Sequence, residues 1–177
     1  MKLHRILICL SLLASNTFAE LPQLSREELA AVQVTPSAER DAAVIYMREM
    51  SFYLSRMASR CRKELKMPAS ELSEPEQSLW GQTNYRYSAA AVRYDGKRAM
   101  YPDAFTQYQT NLDKYGVAQE KAYADADALL KPKKSRVQIC NQFFTDSQTG
   151  RFDITPGHPH YEVLEGLARE LFDPRQK

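Results

Sequence analysis

The residue types in this chain that most often bind metals occur together near its end, at His158 and His160 on either side of Pro159. Two neutral imidazoles at this spacing can share one metal ion when the backbone is extended, and Glu162 or Glu165 could add a carboxylate ligand. Two surface histidines at a helix N-terminus would produce the same pattern, and we favour that interpretation. The sequence therefore predicts no metal site, and metal binding stays an alternative function.

Acidic residues before the only tryptophan are the second candidate for chemistry. Glu71, Glu74 and Glu76 precede Trp80, whose indole could stack on a sugar, and glycoside hydrolases use paired carboxylates. Glu74 and Glu76 also belong to a helix-capping sequence that begins at Ser73, where acids stabilise the helix dipole. The chain has no nucleophile elbow, phosphate-binding glycine loop or His-Glu-x-x-His sequence. We therefore predict no catalytic residue and no cofactor, with a small all-α cell-wall glycan hydrolase as the alternative.

The first nineteen residues have the three parts of a secretory signal peptide. Lys2 and Arg5 precede the apolar run 6–13, and small residues lead to a predicted cleavage after Ala19. The apolar run is too short to span a bilayer, which needs about 20 residues. We expect a periplasmic or secreted protein, from a Gram-negative bacterium, with no membrane span after cleavage.

Removal of the signal peptide makes the chain electrically neutral. The whole sequence has 24 Lys and Arg against 22 Asp and Glu, and loss of Lys2 and Arg5 leaves equal numbers. A neutral chain lacks the basic surface typical of nucleic-acid binding. We therefore expect no nucleic-acid partner.

Export also makes the cysteines informative. Cleavage removes Cys9 and leaves Cys61 and Cys140 as the only two thiols. An even number of cysteines in an oxidising compartment is normally paired, and only one pairing is possible here. We predict a Cys61–Cys140 disulfide; two free buried thiols are the alternative.

Apolar residues recur at helical spacing along nearly the whole chain, and strand patterns are almost absent. We expect Thr35 to cap the first long helix, with Pro36 as its first residue. The fold predicted for 20–177 is all-α: a single-domain helical bundle of four to five main helices, tied by one disulfide. The predicted helices are a short one at 25–32 and main ones at 36–67, 74–95, 102–131, 133–146 and from 159 onward.

Two further patterns have both a structural and a binding interpretation. Five tyrosines are spaced by seven from Tyr87 to Tyr115, which indicates core-facing helix positions or a groove for sugar or peptide. Ile45 and Phe52 lie on a largely charged face of the first long helix. We expect the short helix at 25–32 to cover them, and contact with another protein is the alternative.

The segment 149–160 is the best candidate for a binding loop. Its Arg151, Phe152, His158 and His160 are the residue types that often anchor interfaces. Phe152 could equally enter the core, which is the common position of apolar loop residues. We predict a non-enzymatic module that binds a protein partner in the cell envelope, such as an inhibitor, an immunity protein or an assembly helper.

Overall fold

A computed structural model describes residues 34–67, 76–98 and 104–172, and the side chains of all of these except 76–79 and 104–112. These residues form helices and no strand, which confirms the predicted all-α fold. The predicted signal peptide and short helix at 25–32 lie outside the described residues. The helices are α1 (Ala38–Glu64), α2 (Glu76–Thr83), α3 (Tyr85–Arg98), α4 (Ala104–Leu129), α5 (Arg136–Gln148) and α6 (Tyr161–Phe172).

Helix α1 is the centre of the bundle and contacts each of the five other helices. Its apolar residues recur every three or four positions, so that Val44, Met47, Leu54 and Met57 are all buried. Helices α3 and α6 pack on each other, and α4 runs along α1. The described helices therefore enclose one shared core.

The start of α1 differs from the prediction. Ser37, not Thr35, is the N-cap: its backbone is extended and its hydroxyl accepts a hydrogen bond from the Arg40 amide at 3.2 Å. The helix ends at Glu64, three residues before the predicted end, and Lys66 adopts a left-handed backbone with a φ of 53°. Helix-capping propensity does not distinguish Thr35 from Ser37, because threonine and serine are both favourable N-cap residues.

The predicted helix 74–95 is in fact two helices that meet at Asn84. This buried side chain donates to the Trp80 carbonyl and to Asp153 Oδ1, both at 2.9 Å, and accepts from the Ile154 amide at 2.7 Å. The predicted stop at Asp95 is also wrong, since α3 continues to Arg98. The structure thus has six main helices in its described part, where the sequence predicts four to five.

The predicted disulfide is confirmed. Cys61 of α1 and Cys140 of α5 are bonded, with their Cα atoms 5.0 Å apart and both residues fully buried. An ion pair of 3.1 Å between Glu64 and Arg136 joins the same two helices at the surface. The end of α1 and the start of α5 are therefore fixed to each other both covalently and electrostatically.

The described tyrosines of the seven-residue series pack inside the bundle. Burial is the main cause that raises the pKa of Tyr87 and of Tyr94 to about 12, and it also raises the pKa of Tyr115. Hydrogen bonds to nearby acids, and the charge of those acids, raise these pKa values further. These hydroxyls have internal partners and do not line an open groove; Tyr101 and the side chain of Tyr108 lie outside the described part. The pairs are Tyr87 with Glu165 at 3.2 Å, Tyr94 with Asp41 at 2.8 Å and Tyr115 with Asp95 at 2.7 Å.

Phe52, one of the two apolar residues on the charged face of α1, contacts α4. The ring of Phe52 meets the ring of Tyr123 edge to face, with centroids 6.4 Å apart, and the Arg56 guanidinium lies 5.0 Å from the same Tyr123 ring. The cover expected from the helix at 25–32 falls outside the described residues. Phe52 therefore has a partner within the chain, and it no longer supports an intermolecular contact.

Candidate functional site

A pocket of about 340 Å³ opens between α1, α5, the end of α4 and the loop after α5. This volume is in the range of sites that hold a small ligand or an inserted side chain. Most of its lining residues are apolar, and the exposed polar ones, Gln142 and Arg151, define its edge. The apolar residues are Met57, Leu129, Ile139, Phe143 and Phe152, and the polar ones are Tyr53, Gln142, Asp146 and Arg151.

The loop reaches the pocket because a glycine turn follows α5. Gly150 has a φ of 73°, and a Cβ at this position would lie 2.6 Å from a carboxylate oxygen of Asp153, so a larger residue would be strained. Beyond the turn, the Phe152 carbonyl accepts a hydrogen bond of 2.7 Å from the Trp80 indole, and its ring lies 5.8 Å from the Phe143 ring. Phe152 is thus held half-buried as one side of the pocket.

The edge of the pocket combines a carboxylate with a largely free guanidinium. Asp146 accepts a hydrogen bond from Gln142 at 2.8 Å and pairs with one nitrogen of Arg151 at 3.3 Å. The Arg151 side chain is 70% exposed, and within the described residues its other nitrogens have no partner. Arg151 can therefore still donate hydrogen bonds to a bound molecule.

Among the apolar residues that line the pocket, Leu129 is the most exposed to solvent. It ends α4 and is 45% exposed, whereas its neighbour Leu130 is almost completely buried. Successive residues on a helix point about 100° apart, and at the end of α4 it is Leu130 that faces the core. Leu129 is not among the site residues predicted from the sequence, because the apolar spacing along α4 does not show which of two adjacent leucines faces the core.

The two histidines of the predicted binding loop lie elsewhere. Their rings lie beside Tyr46, with centroids 5.5 Å away for His158 and 5.3 Å for His160, and the Tyr46 hydroxyl is 3.2 Å from His158 Nδ1. Tyr46 precedes Tyr53 of the pocket by seven residues, or about 10 Å along α1. The structure therefore brings Arg151 and Phe152 together at the pocket and places the histidines apart from them; the binding role of all four stays a prediction.

The metal and hydrolase alternatives gain no support from these positions. Within the described residues no group of three or more His, Cys, Asp or Glu side chains is placed to hold a metal ion. Glu165, a possible third ligand, is paired with Arg86 at 3.0 Å. Trp80 is only 6% exposed, so its indole is not available to stack on a sugar. The predicted acids Glu71 and Glu74, and the side chain of Glu76, lie outside the described part.

Comparison with family models, with curated proteins and with solved structures finds no match to this chain. None of the helices in the described ranges is long and apolar enough to cross a membrane. Function is therefore inferred from the chemistry of the pocket itself.

Proposed function

We propose that this chain is an exported, non-enzymatic protein that binds a protein partner in the cell envelope by accepting an apolar side chain into the pocket. The observation that supports this is the composition of the pocket, in which apolar walls are edged by Gln142, Asp146 and Arg151. Protein interfaces commonly have this form, with a buried apolar anchor surrounded by polar groups that exclude water.

Export is the part of the proposal that depends on the N-terminal pattern and on the disulfide. Disulfides persist in oxidising compartments, and the Cys61–Cys140 bond is consistent with one. N-terminal sequencing of the protein from envelope fractions should begin at Glu20. A sequence that still begins at Met1 would contradict cleavage and, with it, the predicted location.

The binding proposal can be tested without knowing the natural partner. A random peptide library displayed on phage is selected on the native, disulfide-bonded protein alone, and the affinity of the selected peptides for Leu129→Glu is then measured. Val117→Glu is the matched control, because Val117 is also an exposed apolar residue of α4, 66% exposed, and does not line the pocket. Both substitutions place the same charge on the same helix.

Selected peptides should contain an apolar residue whose replacement by alanine abolishes binding. Their affinity should fall at least tenfold on Leu129→Glu, since a charge then meets the inserted side chain, and should stay within about twofold on Val117→Glu. Equal loss on both variants, or selected peptides without an essential apolar residue, would refute the pocket as the binding site.

A further inference from the structure

Three exposed lysines lie in the turn between α4 and α5: Lys131, Lys133 and Lys134. This turn joins the helix that carries Leu129 to the helix that carries Ile139, and both residues line the pocket. Lys131 is two residues from Leu129, so their Cα atoms are at most about 7 Å apart. The turn is therefore next to one end of the pocket.

The charge of these lysines is not neutralised by the groups around them. In the described part of the chain none of the three has a carboxylate partner. Two carboxylates near the turn already have arginine partners: Glu64 of α1 pairs with Arg136 at 3.1 Å, and Asp127 of α4 pairs with Arg56 at 2.6 Å. The three lysines thus form a locally positive surface beside the apolar pocket.

We infer that the partner segment has acidic residues next to its apolar anchor, and that Lys131, Lys133 and Lys134 attract them. This inference rests on the proposed function, since it names the chemistry of the segment that the pocket accepts. Exposed charges of opposite sign accelerate association and fix the orientation of a bound segment. A pocket that accepts a side chain fits a protein better than a bilayer surface, which binds proteins through apolar groups that protrude into it.

The test uses the peptides selected on the pocket and two charge reversals. Lys133→Glu alters the turn, and Lys114→Glu is its control: Lys114 is also exposed on α4 but lies about 22 Å along the helix from Leu129. Selected peptides should have Asp or Glu near the apolar anchor. Lys133→Glu should weaken their binding about fivefold and Lys114→Glu less than twofold, and 0.5 M NaCl should remove the difference.

The possible failures are distinguishable. Peptides that need Leu129 but lack acidic residues, or that bind Lys133→Glu as well as wild type, would overturn this inference and leave the proposed function intact. Absence of any peptide that discriminates Leu129→Glu from wild type would overturn both. The protein could instead bind phosphatidylglycerol vesicles more strongly than the peptides and lose that binding on Lys133→Glu. This result would assign the lysines to a membrane surface and refute the inference that they attract an acidic protein segment.

Discussion

Replacement of Asn84 by alanine is expected to destabilise the fold by about 3 kcal/mol. The side chain is 2% exposed and makes three hydrogen bonds, of 2.7 Å from the Ile154 amide, 2.9 Å to Asp153 and 2.9 Å to the Trp80 carbonyl. Alanine leaves the amide of the buried Ile154 without its partner, at a cost of about 1–3 kcal/mol, and removes two further bonds worth about 0.5–1.5 kcal/mol each. The loop that forms one side of the pocket then loses its hydrogen bonds to Asn84 and keeps the bond from the Trp80 indole to the Phe152 carbonyl.

Urea and thermal unfolding followed by circular dichroism measure this effect. The melting temperature of Asn84→Ala should fall by about 6–12 °C, whereas Asn141→Ala, an exposed asparagine of α5, should change stability by less than about 0.5 kcal/mol. Asn84→Asp keeps the acceptor for Ile154 but places a second carboxylate beside Asp153. Asn84→Asp should therefore also be less stable than wild type at pH 7, because two like charges are then close together in a buried position. An Asn84→Ala protein as stable as wild type would refute the reasoning.

Two further predictions concern the disulfide and the buried tyrosines. The double variant Cys61→Ala/Cys140→Ala should lose about 4.5 kcal/mol, from the entropy of a loop with a sequence separation of 79, and an unchanged melting temperature would contradict this. The free energy of unfolding should fall as the pH rises from about 10 to about 12. In the unfolded chain the hydroxyls of Tyr87 and Tyr94 ionise near pH 10, whereas in the folded protein their pKa is raised to about 12. Between these two pH values the unfolded state releases protons that the folded state keeps, and this favours unfolding. Tyr87→Phe/Tyr94→Phe should show a shallower decline over this window in urea titrations, and an equal slope would count against burial as the cause.

The sequence predicts the parts of the fold that depend on local periodicity and on counting. The main helices follow from apolar residues at spacings of three and four, and the Cys61–Cys140 pairing follows from the two cysteines that the predicted cleavage would leave. The division at Asn84 could not be predicted, because two of its three partners, Asp153 and Ile154, are about 70 residues away in sequence. No local pattern contains that information.

The candidate site could be predicted only in part for the same reason. Arg151 and Phe152 were selected as interface residue types in an irregular segment, and both line the pocket. Met57 and Ile139, on the opposite walls, have the sequence signature of ordinary core residues. Their place in the lining of the pocket depends on how α1, α4 and α5 pack together, which is not encoded in any one segment.

The central claim is that the pocket accepts an apolar side chain of a partner, and methyl NMR spectra titrated with a selected peptide test it most directly. The claim predicts that the largest shifts occur at the methyl groups of Met57, Leu129 and Ile139, while the exposed methyls of Val117 and Val92 stay in place. Largest shifts at Val92, which lines a smaller cavity between α1, α2 and α3, or an absence of shifts at the three pocket residues, would contradict it.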